Sequence, residues 1–143
     1  MTMRKLIIAI TICSLGLAAA AKEPETIDQL RTRAEAAQKG KQAELYAKLA
    51  AMQAEAANTA YNTSVDQARQ LIKDCVDSAE KASQTSLASG KRQKKTEIDL
   101  RQLYKRLDDI SKSWNFDDRG PVKDAMQRVE AARSKLLDRM FEK

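Results

Sequence analysis

Four cations in five positions, Lys91-Arg92-Gln93-Lys94-Lys95, form the densest charge in the chain, and no acid interrupts them. Such a run attracts anions: lipid headgroups, acidic envelope polymers or nucleic acid. No aromatic side chain is interleaved to stack on bases, and the export signal described below is a second reason to set nucleic acid aside. The plainer alternative is a collar of solvated side chains, because charge runs usually just face water. Cys75 is the other residue with chemistry of its own. It falls between Ile72 and Ala79 on an apolar line, where cysteine serves as a small hydrophobe. Its functional alternative is an intermolecular disulfide between two copies of the chain. The chain has no histidine, so the commonest general base and metal ligand is missing. A catalytic thiol would therefore lack its usual partner. Asp117-Asp118, just before Gly120-Pro121, suits the cap of a helix that starts there. Calcium would ask for more oxygen ligands at fixed spacing. Asp108-Asp109 fits a solvent-facing side of a helix. No catalytic motif stands among these residues, and no enzyme activity, metal or cofactor is expected.

The charge account depends on the N-terminus. The 143 residues carry 26 basic and 20 acidic side chains, net +6. Met1 to Lys5 is short and basic, and Leu6 to Ala20 reads LIIAITICSLGLAAA, uncharged and ending in small residues that fit Ala-x-Ala cleavage. This is the layout of a secretory signal peptide over residues 1–21, too short for a comfortable membrane span. Cys13 follows Ile12 instead of a small residue and lies inside the apolar run, which argues against lipidation. The expected product is an exported protein, periplasmic or secreted, with residues 22–143 as a single domain. It keeps 24 basic and 20 acidic side chains and one cysteine, so no intrachain disulfide can form. Charges balance at six and six over residues 22–62, at three basic and four acidic over 63–90, and at eleven and ten over 96–143. The whole excess of +4 thus sits in residues 91–95.

Those residues need elements to hold them, and the composition allows one kind. Residues 22–143 hold 20 Leu, Ile, Val and Phe against 18 Ala. Helix formers dominate, with Pro24, Gly40, Gly90, Gly120 and Pro121 the interruptions. No window alternates as a strand would. The reading is all-α with a thin, alanine-rich core, in which each contact buries less than a leucine would. Marginal stability or self-association would follow.

A capping box at Thr26-x-x-Gln29 predicts the first helix, with Ile27, Leu30, Ala34 and Ala37 on its inner face and a break at Lys39-Gly40-Lys41. A second helix aligns Leu45, Leu49, Met52 and Ala56, with Tyr46, Ala50, Ala57 and Tyr61 beside them. Asn62-Thr63-Ser64 ends it, and Ser64-x-x-Gln67 is a second capping box. From Val65 to Trp114 apolar and small residues keep one alternating 3-4 register, a heptad seam that favours one long or kinked helix of about 75 Å. Its middle is polar (Ser86, Ser89, Gln93, Thr96) and contains Gly90, so two helices broken there are the competing reading. Trp114 and Phe116 would plug the gap to a last helix from Pro121, or else form an exposed aromatic anchor for a partner; that helix's seam is Val122, Ala125, Val129, Ala132, Leu136 and Met140.

The expected architecture is an antiparallel helical bundle or long helical hairpin with a coiled-coil-like seam. Residues 56–82 look weakly tetratricopeptide-like, without a second copy at the expected spacing. KKTEIDLRQLYKRLDDI, FDDRGPV and EAARSKLLDRMF together resemble a group of small, uncharacterised exported helical proteins of environmental bacteria. The resemblance spans about Leu45 to Phe141, implies export and helicity, and transfers no functional residue. The function expected is a non-enzymatic binding or scaffold protein of the cell envelope that presents helix faces to a protein partner or to itself. Alternatives are a binder of anionic lipid or polymer using Lys91, Arg92, Lys94 and Lys95, and a periplasmic holdase-like chaperone.

Overall fold

The computed structural model describes residues 23–142; the leader read over residues 1–21 lies outside the described residues. Every regular element among them is helical: α1 (Ile27–Ala36), α2 (Lys39–Ala60), α3 (Val65–Ser89), α4 (Gln93–Ser113) and α5 (Gly120–Met140), with a 3-10 turn at Phe116–Asp118. The expected all-α helical bundle is what the chain forms.

Polar contacts set the order of the helices. α2 and α3 are an antiparallel hairpin, joined midway where buried Ser78 donates to Gln53 Oε1 at 2.6 Å. α4 and α5 are a second hairpin, tied by Arg133 to Glu97 at 2.8 Å. The hairpins stack in parallel: Arg106 on α4 donates twice to Glu55 on α2, at 2.5 and 2.9 Å, and Ser83 on α3 donates to the Ala132 carbonyl on α5 at 2.9 Å. α2 and α4 form one layer, α3 and α5 the other, and α1 packs chiefly on α2. Equivalent positions on α2 and α4 are 51 residues apart, longer than a tetratricopeptide repeat of about 34.

The core follows the seam closely. Ala68, Ile72, Cys75, Ala79 and Ala82 on α3, Leu100, Leu103, Leu107 and Ile110 on α4, and Val122, Ala125, Val129 and Leu136 on α5 are all buried. Alanines on α2 (Ala50, Ala54, Ala57) let α3 approach closely, and α1 adds Leu30 and Ala34 over Leu45 and Leu49. On α2 the buried line runs through Tyr46, Ala50, Gln53 and Ala57, and Met52 and Ala56 sit at its margin.

The seam is continuous in register but not in backbone. The long or kinked helix favoured over Val65–Trp114 is overturned: Gly90 at φ 67° ends α3 in the left-handed conformation, and Arg92 at φ 58° starts α4 from another. Two of the four polar residues in mid-seam, Ser86 and Ser89, hydrogen-bond this turn. Buried Ser86 donates to the Lys91 carbonyl at 2.7 Å, and Ser89 Oγ accepts from the Lys91 N–H at 3.2 Å. A three-residue turn can leave the heptad count intact while reversing the chain, which is why phase alone misled.

Three local expectations also change. The capping box at Thr26 is present in full, whereas at Ser64 the hydroxyl accepts from Gln67 N–H and no return bond forms. The first break falls at Ala37–Gln38, so Lys39-Gly40-Lys41 is the opening turn of α2. Asp118 does not cap α5; it accepts from Tyr61 Oη at 2.6 Å and from Arg69 at 3.1 Å, across 57 and 49 residues of chain.

Candidate anion-binding end

One end of the bundle gathers cations from two distant turns. The antiparallel order puts the start of α2, the α3–α4 turn and the end of α5 together there. Gly40 lies against Lys91 so closely that an added Cβ would stand 3.4 Å from the lysine Cδ. Between the turns runs a cleft of about 590 Å³, with Lys39, Gly40 and Lys41 on one wall and Ser89, Lys91 and Arg92 on the other. Lys94 and Lys95 follow on the first turn of α4. These six basic side chains are exposed.

Two carboxylates offset them. Glu44 takes Lys41 at 3.2 Å and Arg92 at 3.0 Å, and Asp99 takes Lys95 at 2.6 Å. Among the described residues, Lys39, Lys91 and Lys94 have no carboxylate within ion-pair distance. The hydrogen bond from Lys41 holds the Glu44 carboxyl below its ordinary range against the opposing effect of burial, helped by the charges of Lys41, Arg92 and Lys95. Glu44 therefore stays ionised where the local field is positive. The α2 and α4 N-termini add to that field, since neither has a side-chain cap or an acid in its first turn. Arg92 holds its place in a backbone conformation that costs a non-glycine residue about 1–2 kcal/mol. The ammonium groups of Lys39, Lys91 and Lys94 stay exposed, so this end can attract anions by charge.

The remaining candidates stay apart from it. Cys75 is fully buried on α3, and burial, with Asp74 adding to it, pushes its thiol up to about 12. A disulfide to another chain would require the helix to open first. Trp114 is buried at the opposite end, its ring stacked on Tyr61 at 4.3 Å between centroids, and Nε1 donates to Asn58 at 3.2 Å. Phe116, expected to share that plug, is 77% exposed, with the Arg119 guanidinium 5.9 Å from its ring centre. Asp117 is exposed, and Asp108 pairs with Lys112 at 2.8 Å. A cleft of about 430 Å³ between α2 and α4 is crossed by the Glu55–Arg106 pair. Another of about 610 Å³ between α3 and α5 has Ile72, Val76 and Ala125 beneath a rim that includes Arg69, Asp124 and Arg128. Among the described residues no group of three or more Cys, Asp or Glu could hold a metal ion, and no helix is long and apolar enough to cross a membrane.

Sequence reasoning located Lys91, Arg92, Lys94 and Lys95 but missed Lys39 and Lys41. Their charge was hidden inside a segment balanced at six and six, and their Gly-containing triplet looked only like a helix break. An uncapped helix start with two lysines and no acid was the available signal. Among known proteins, no family model matches the chain, and neither the curated proteins nor the solved structures contain a match, so the site rests on its own geometry.

Proposed function

We propose that the protein is an exported, non-enzymatic binding protein of the cell envelope that holds an anionic partner against its basic end. Export is the reading of the leader at residues 1–21. The observation that carries the binding reading is the convergence of Lys39 and Lys41 with Lys91, Arg92, Lys94 and Lys95, of which Glu44 and Asp99 pair with only Lys41, Arg92 and Lys95. A protein-docking scaffold has less to support it. The large exposed apolar side chains among the described residues are Phe116 and Phe141, at opposite ends, and no broad apolar helix face is offered.

Binding to soluble polyphosphate, measured by titration calorimetry, tests this directly. Affinity should fall steeply with added salt, since exposed charges are screened beyond a Debye length of about 8 Å at physiological ionic strength. Lys39→Glu with Lys41→Glu should weaken binding about tenfold or more, as should charge reversal of Lys91 and Lys94. Affinity indifferent to both pairs would remove the proposal.

A further inference from the structure

We infer that the anionic partner is a lipid bilayer, met by the six cations with the Phe141 ring inserted among the headgroups. The inference rests on the anion-binding reading above and specifies its partner.

The Arg133–Glu97 contact at 2.8 Å fixes the level at which α5 passes α4 in the opposite direction. From there Phe141 is eight residues onward, about 12 Å along a helix, while Arg92 is five residues back along α4, about 7.5 Å. Phe141 therefore reaches the same end as the basic turn and extends past it. Its N–H closes the last helical turn on the Leu137 carbonyl at 3.0 Å, and its ring is 77% exposed. Exposed Lys135, Asp138 and Arg139 precede it on α5, and Glu142 follows, 3.8 Å from Arg139.

An unburied aromatic ring beside a cation cluster matches an anionic membrane surface on both counts. Cations near such a surface each add a modest attraction, and an apolar ring gains by leaving water for the interfacial region. Neither contribution anchors a protein well alone, since even an acyl chain needs a second signal such as a polybasic patch for stable attachment. A soluble polyanion satisfies the cations and has no use for the ring. The other exposed phenylalanine provides a built-in comparison. Phe116 lies at the opposite end, beside Asp117 and Asp118 and with Arg119 over its face.

Residues 22–143, which contain every helix among the described residues, should be tested by flotation with vesicles of phosphatidylcholine alone and of phosphatidylcholine rich in phosphatidylglycerol, with polyphosphate titration in parallel. The expected result is flotation with the anionic vesicles only. Phe141→Ala should weaken it about tenfold, the scale of exposing one large apolar side chain. Phe116→Ala should leave it unchanged, and charge reversal of Lys91 and Lys94 should weaken both vesicle and polyphosphate binding. Phe141→Ala should not alter polyphosphate affinity. Polyphosphate binding without vesicle flotation would overturn the bilayer and leave the anion reading standing, whereas loss of both would end the two together. Equal effects of Phe141→Ala and Phe116→Ala would overturn the assignment of the anchor.

Discussion

Glu97 is a carboxylate nearly withdrawn from water, with a side chain 5% exposed, held between Arg101 and Arg133 at 2.8 Å each. Burial raises its pKa, but the two guanidinium hydrogen bonds and charges outweigh burial and leave it below the ordinary 4.5. Because the folded value is depressed, this contact stabilises the fold fully above the unfolded pKa. The contribution is lost as pH falls below about 4.5 and through the folded value. Glu97→Gln should cost about 2 kcal/mol at neutral pH, less than the loss of a wholly buried pair because Arg101 is half exposed and Arg133 keeps Glu130. Urea midpoints measured from neutral to acid pH should show the variant converging on the parent as acidity increases. A gap that stayed constant would mean that the lost stability comes from packing instead of charge. Four cations of the basic end, by contrast, could be picked out from residue types alone, since a charge run needs no partner to be visible.

At the scale of elements, the two hairpins are locked at the end away from the cations. The Tyr61 ring lies flat on Trp114, with 6° between their planes, while its hydroxyl donates to Asp118 and accepts from the Asn115 N–H at 3.0 Å. Arg119 donates to the Trp114 carbonyl at 3.0 Å and to that of Lys112 at 3.2 Å, so the α4–α5 turn is gripped from both sides. Tyr61→Phe keeps the stack and removes both hydroxyl contacts. It should destabilise the fold by about 1–2 kcal/mol, and amide exchange should quicken first at Asn115. Unchanged exchange there would show that the aromatic stack alone holds the turn. Sequence spacing revealed the inner faces of these helices, because a 3-4 repeat of Leu, Ile, Val and Ala is a local property. It could not show that Asp118 would find Tyr61 and Arg69 in preference to the helix start beside it, since those partners come from the other hairpin.

For the molecule as a whole, an alanine-rich interior brings helices close and leaves little apolar surface outside. Cys75 shares in that interior, flanked on its helix by Ile72, Val76 and Ala79. The native protein should resist a thiol reagent such as dithionitrobenzoate and migrate as a monomer without reductant, with labelling keeping pace with global unfolding in urea. Fast labelling of the native state would mean that α3 opens locally. Helical class, buried faces and the +4 excess near residue 91 were determined by the sequence itself, because propensity, periodicity and charge are carried residue by residue. Tertiary structure alone decided that the chain reverses at Gly90, that Lys39 and Lys41 join the cations some fifty residues onward, and that Phe141 stands at the same end. Each depends on a backbone reversal or on contact between segments far apart in the chain, where a few hydrogen bonds and one close approach at Gly40 select among arrangements with the same pattern.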